Sequence, residues 1–70
     1  MNIALIGYGK MGHVIEEIAL SRGHSIVLWI TSANRHELNA VNLKNTDVAI
    51  EFTNPASARE NVLQCLNAGV

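Results

Sequence analysis

The turn Gly7-Tyr8-Gly9-Lys10-Met11-Gly12 constrains the fold of this chain more than any other feature, because of what flanks it. Before it, Ile3, Ala4, Leu5 and Ile6 read as a buried strand. After it, Met11, Val14, Ile15, Ile18 and Ala19 recur at the i, i+3, i+4, i+7, i+8 spacing of an amphipathic helix. Strand, glycine turn and helix in that order form the phosphate-binding start of a dinucleotide-binding unit. Gly7 permits a tight turn where a Cβ would oppose positive φ. Gly9 lets the backbone approach a diphosphate, and Gly12 lets the helix close on the strand beneath it. The N–H groups of the first helical turn then face the phosphates, aided by the positive end of the helix dipole. The competing reading is a plain glycine turn with no ligand.

The rest of the chain extends this unit. The first helix is predicted from about Lys10 to Arg22, with Gly23 as a left-handed residue after its end. Arg22 and His24 lie near its negative end, where a cation is favoured. Ser25 to Ile30 reads as a second strand, apolar from Ile26 onward and suited to a parallel sheet covered on both faces. Residues 31–46 are irregular; Arg35-His36-Glu37-Leu38 is predicted as a helical turn capped by Asn34, and Asn39, Asn42 and Asn45 interrupt any longer helix. Asp47 to Phe52 is the third strand. Asn54 caps the next helix and Pro55 takes its first position. Ala58, Val62, Cys65 and Leu66 form its apolar stripe, and Gly69 ends it. The fold class is α/β: a Rossmann-type parallel sheet with flanking helices, incomplete, of about three strands and two main helices.

Composition narrows the function classes. The chain has 70 residues, 49% hydrophobic and 16% charged, with a formal net charge of −1. That balance provides no basic surface for nucleic acid or an anionic membrane. Three aromatics, Tyr8, Trp29 and Phe52, are too few for a base-stacking platform. No stretch approaches the roughly 18 apolar residues of a membrane span. The start lacks the basic leader of a signal peptide. Cys65 is the only cysteine, suits a reducing compartment and reads as a small buried apolar residue. A cytoplasmic location is expected. His13, His24 and His36 match no zinc spacing, so no metal site is expected. Glu16 and Glu17 read as a solvated helix face, and Trp29 as core packing between strand and helix. At this length a core barely offsets chain entropy. With Val70 placed where a fourth strand would begin, a fragment of a longer chain is expected: residues 1–70 as the N-terminal part of a dinucleotide-binding domain, the substrate domain lying elsewhere.

Three patterns, Ile6-Gly7-Tyr8-Gly9-Lys10-Met11-Gly12, Arg22-Gly23-His24 and Asp47-Val48-Ala49-Ile50-Glu51-Phe52-Thr53-Asn54-Pro55, together resemble the N-terminal part of the 4-hydroxy-tetrahydrodipicolinate reductase family of diaminopimelate and lysine biosynthesis. The resemblance spans essentially the whole chain, and its third pattern is the most specific. It implies that the strand ending in Phe52 lies beside the first strand and that Phe52 and Thr53 line the cofactor site. The alternative is that Phe52 is a core aromatic and that Thr53 and Asn54 only cap a helix. It also implies NADPH or NADH as cofactor, a small-molecule substrate held by a C-terminal domain, and a homo-oligomer (a tetramer). The family's Gly-Thr-Thr-Gly loop, paired histidines and catalytic lysine fall beyond Val70, so no catalytic residue is expected here and the segment alone should be inactive.

This chain departs from the family in two places. Many members carry a longer Gly-x-x-Gly-x-x-Gly turn with arginine before Met-Gly; here Lys10 stands there, able to meet a phosphate as a point charge but without arginine's bidentate grip. It also reads as a plain solvated lysine. At the end of the second strand, where an acid would bind NAD ribose hydroxyls, stand Thr31, Ser32 and Arg35, which suit a 2′-phosphate and hence NADPH. Arg35 on a solvated loop is the alternative. The candidate cofactor residues are therefore Gly7, Tyr8, Gly9, Lys10, Met11, Gly12, Thr31, Ser32, Arg35, Phe52 and Thr53. Other glycine-turn reductases, of pyrroline-carboxylate or hydroxyacid type, and a non-enzymatic redox-sensing module are the rival readings.

Overall fold

The run Ile3-Ala4-Leu5-Ile6 is buried side chain by side chain, which makes the first strand the centre of the molecule. A computed structural model describes residues 1–70, apart from the side chain of Pro55. The elements are β1 (Asn2–Ile6), α1 (Lys10–Ser21), β2 (Ser25–Ile30), a single 3-10 turn (Arg35–Glu37), β3 (Val48–Glu51) and α2 (Pro55–Asn67). The strands form one parallel sheet in the order β2-β1-β3. The chain therefore leaves β1 toward one side for β2 and returns to the other side for β3. Strand order reverses at the carboxyl end of β1, the place where open α/β sheets bind ligands.

Alternation along β1 divides the core into two layers. Ile3 and Leu5 join Ala19 of α1, with Ile15, Ile50 and Phe52 packed around them. Ala4 and Ile6 join Leu28, Ile30 and Cys65 on the side of α2, together with Leu38 and Leu43 from the irregular stretch. Each fully buried aliphatic side chain contributes roughly 1.5–3 kcal/mol. The stretch 38–43 thus does the work of a crossover helix without being one. Its asparagines bond backbone instead: Asn39 Oδ1 accepts from Asn42 N–H at 2.9 Å, and Asn42 Nδ2 donates to the Glu37 carbonyl at 2.7 Å.

Helix ends follow the expected chemistry. Arg22 is the C-cap of α1, and Gly23 follows at φ +83. The Gly23 and His24 amides bond back to the carbonyls of Leu20 and Ala19 at 3.1 and 3.0 Å, the Schellman arrangement. Gly69 and Val70 repeat it on α2. Asn54 caps α2 by accepting from the Ser57 amide at 3.1 Å.

Several expectations are corrected. On α1 only Ile15 and Ala19 meet the core; Met11, Val14 and Ile18 are about half exposed or more, because a three-stranded sheet covers a narrow strip of the helix. On α2, Cys65 is buried, but Val62 and Leu66 face outward and Asn61 takes the inward place. The continuous apolar run of β2 is not covered on both faces, because β2 is an edge strand: Ser25, Val27 and Trp29 are exposed. A register shift opposite Ile3/Ala4 leaves Val27 unpaired and restores the inward phase for Leu28 and Ile30. The third strand is shorter than expected, ending at Glu51.

Candidate functional site

The turn after β1 is shaped by its backbone. Gly7 has φ +97, and its amide donates to the Ile30 carbonyl at 2.7 Å, tying the turn to the end of β2. A Cβ on Gly7 would lie 3.0 Å from Thr53 Cγ2, so the ends of β1 and β3 are in close contact as well. Around Gly9 the opposite holds: a Cβ there would meet nothing within 4 Å. Among the described residues, the amides of Tyr8, Gly9, Lys10, Met11 and Gly12 have no protein acceptor. The first turn of α1 carries no acidic side chain, and neither does that of α2. The positive end of α1 therefore lies open to an anion without a competing carboxylate, whereas that of α2 is capped by Asn54.

An open cleft of about 320 Å³ lies at this carboxyl edge of the sheet, bordered by Gly7, Tyr8 and Gly9 on one side. Thr31, Ser32 and Arg35 come from the loop after β2, and Thr53, Asn54, Ser57 and Asn61 from the start of α2. Among the described residues, no carboxylate borders it. Of the residues marked in the sequence, the structure gathers Gly7, Tyr8, Gly9, Thr31, Ser32, Arg35 and Thr53 around one space. Lys10, Met11, Gly12 and Phe52 lie outside that lining. Lys10 and Met11 are exposed on the first turn of α1. Phe52 is half-buried and packs against the cluster of Ile3, Leu5 and Ala19. Gly12 is buried, but the close approach it allows is to the Tyr8 and Phe52 rings and the Gly7 carbonyl more than to the strand.

Polar side chains hold the borders. Asn34 holds the N-cap position of the 3-10 turn, its carbonyl accepting from the Glu37 amide at 2.9 Å, but its side chain bonds elsewhere: its Oδ1 accepts from the Thr31 amide at 2.6 Å and from the Thr31 hydroxyl at 3.1 Å, and its Nδ2 donates to the Trp29 carbonyl. It folds the loop after β2 back on the strand that feeds it. Thr53 gives both its amide and its hydroxyl proton to Glu51 Oε1, and its Oγ1 accepts from Asn61 Nδ2 at 3.3 Å. Asn61 is a buried polar side chain, 4% exposed, and it borders the cleft. Nothing singled it out in the sequence beyond being a polar residue one position from the apolar stripe of α2.

Glu16 is not a solvated helix residue. Its Oε1 accepts from the Tyr8 hydroxyl at 2.6 Å and its Oε2 from the Trp29 indole N–H at 2.8 Å. The Tyr8 hydrogen bond, then that of Trp29, hold the Glu16 carboxyl below its ordinary pKa, and donation to Glu16 raises that of Tyr8. Trp29 is 41% exposed, so it braces strand against helix at the edge rather than filling the core. His13 is exposed, with Nδ1 2.9 Å from the Tyr8 hydroxyl, while His24 Nδ1 lies 2.9 Å from the terminal amine. Glu17 is exposed, as expected. No helix of the described residues is long and apolar enough to cross a membrane.

The sequence has known relatives along its whole length. Residues 1–70 match the family described as dihydrodipicolinate reductase, N-terminus. A 4-hydroxy-tetrahydrodipicolinate reductase of Christiangramia forsetii is 42% identical over 71 aligned positions, covering 100% of this chain and 28% of the relative. One from Staphylococcus aureus is 38% identical over 61 residues, covering 79% of this chain and 25% of the relative. No solved structure matches the chain. The chain thus spans 28% or less of the length of these two relatives. With β3 beside β1 and the Phe52-Thr53 segment closing against Gly7, sequence and geometry converge: this chain belongs to the dihydrodipicolinate reductase family, of which it matches the N-terminal part.

Proposed function

We propose that residues 1–70 hold the reduced pyridine nucleotide, NADPH or NADH, of a reductase acting on 4-hydroxy-tetrahydrodipicolinate. The observation that carries this reading is the run of amides from Tyr8 to Gly12 without protein acceptors, opening beside Gly9 at the strand-order reversal. The match over residues 1–70 favours it over a pyrroline-carboxylate or hydroxyacid reductase and over a redox sensor.

Bound there, the nucleotide supplies a hydride for reduction of a cyclic imine, with water lost from the hydroxylated substrate. The chain's share is to hold and orient. Amides at Tyr8 and Gly9, with the dipole of α1, receive the diphosphate. Thr31, Ser32 and Arg35 receive the adenosine ribose, and the lack of a carboxylate in the lining favours a 2′-phosphate and so NADPH. Thr53 borders the cleft where β3 ends beside β1, toward the nicotinamide end. Its hydroxyl proton is committed to Glu51, so it offers a ligand only an acceptor. On this reading the substrate site and proton donor belong to the rest of the parent chain, which assembles as a homo-oligomer in the cytoplasm.

Fluorescence titration of the full-length protein with NADPH and NADH tests the reading. Binding of at least one is expected, and Arg35→Gln should weaken NADPH about tenfold while sparing NADH. Negligible affinity for both nucleotides refutes it.

A further inference from the structure

Two borders of the cleft meet on a single side chain. Tyr8, between the first two glycines, lines one border. Trp29 immediately precedes Ile30 and Thr31, which line the other. Glu16 takes the Tyr8 hydroxyl on one carboxylate oxygen and the Trp29 indole N–H on the other. The Tyr8 ring consequently lies along α1, its centroid 4.3 Å from that of His13 and its edge against Gly12. That leaves the space beside Gly9 clear.

We infer that Glu16 is a positioning residue for nucleotide binding, a tether that fixes the spacing of the glycine turn and the end of β2 and keeps the Tyr8 ring off the amides at Gly9. The inference rests on the nucleotide reading above. An ionised carboxylate suits the task because it accepts on both oxygens at once. Leucine accepts from neither donor, so Glu16→Leu must release both Tyr8 and Trp29. Hydrogen bonding from both donors also favours the ionised form of Glu16. Without Glu16 the Tyr8 hydroxyl keeps only His13 Nδ1, at 2.9 Å on an exposed side chain, and the ring can rotate about its χ1 among staggered positions, including ones that cross the mouth of the turn.

The test uses the full-length protein, titrated with NADPH, together with the thermal midpoint of each variant and the indole N–H resonance of Trp29, assigned with Trp29→Phe. Glu16→Ala should raise the Kd for NADPH about fivefold, the coupling expected of residues in one hydrogen-bond network. Tyr8→Phe should raise it in the wild-type background and add nothing in the Glu16→Ala background. Unchanged affinity in Glu16→Ala, or an equal Tyr8→Phe effect in both backgrounds, overturns the tether. A role confined to stability would lower the midpoint and leave the Kd of the folded protein unmoved. Should Glu16→Ala fail to fold, Glu16→Leu carries the test: the indole resonance must shift and the Kd must rise, and failure of either overturns the inference. Wild-type protein that binds no nucleotide would sink the functional reading itself, whereas variants that bind like wild type sink the tether alone.

Discussion

Gly12→Ala puts one methyl group where three neighbours already meet. The new Cβ would sit 2.9 Å from Tyr8 Cδ1, 3.1 Å from Phe52 Cζ and 3.3 Å from the Gly7 carbonyl oxygen. Carbon atoms rest at about 3.5–4.0 Å, so the first contact is short by roughly 0.6 Å. None of the three yields easily. The Tyr8 hydroxyl is held by Glu16, Phe52 packs against the buried cluster of Ile3, Leu5 and Ala19, and the Gly7 carbonyl belongs to a turn at φ +97. Overpacking of this kind costs about 1–3 kcal/mol. Alanine's helix preference over glycine returns up to about 1 kcal/mol. A net loss of up to about 2 kcal/mol remains, a fall in Tm of up to about 8 °C for a chain of 150–250 residues. Whichever neighbour moves, the glycine turn moves with it, so the Kd for NADPH should rise as well. Thermal unfolding and nucleotide titration of the full-length variant read both effects. A variant that melts at or above wild type with unchanged affinity would refute the reasoning.

Gly9→Ala is the complementary case: with nothing within 4 Å of the new Cβ, stability should change by no more than about 0.5 kcal/mol. The Kd for NADPH should nevertheless rise on the order of tenfold, as expected for losing a charge-assisted amide contact; unchanged binding would mean no ligand approaches there. Asn54→Ala removes the cap from α2 and should cost about 1 kcal/mol in denaturant unfolding, with Asn54→Ser largely sparing it. Equal midpoints for both variants would contradict the cap. Burial, and then the Glu51 charge, push the Cys65 thiol above its ordinary 9.0. Because the folded state favours the neutral thiol, its contribution to stability is present below pH 9.0 and is lost as pH rises through the raised value. Iodoacetamide should therefore label Cys65 far more slowly in the native protein than in denaturant at pH 8, as followed by mass spectrometry; equal rates would refute its burial.

What could be read in advance was local chemistry. The β1–turn–α1 start, the bounds of β2 and the Asn54 cap depend on neighbours a few residues away, and each is where the residue pattern puts it. The cleft's glycines, Thr31, Ser32 and Arg35 followed from the same patterns, because parallel strands deliver their carboxyl ends to one edge, whereas Thr53 was expected only from the family resemblance. What escaped depends on partners far along the chain. An apolar period of 3.6 shows that α1 has a greasy face, but not how much of it three strands can cover, so Met11, Val14 and Ile18 remain outside. Trp29 looked like core because its strand is apolar throughout, yet β2 lies at an edge and the indole N–H finds Glu16. Leu38 and Leu43 follow no regular period; they are buried because an asparagine-braced loop happens to close over Ile6 and Ile30. Asn61 was hidden for a simpler reason: its partner, Thr53, belongs to the strand-to-helix turn below it.

The central place of β1 has a consequence for how the protein matures. Ile3 aligns with Ile26 on one flank and with Val48 on the other. The second, wider loop is about twice the first, and closing it costs only about 0.6 kcal/mol more in chain entropy. Neither flank suffices for the pocket, whose walls come from the segment after β2 and the segment after β3. Nucleotide added during refolding should therefore capture only molecules in which both flanks have docked, acting as a late ratchet on assembly rather than as a template for it.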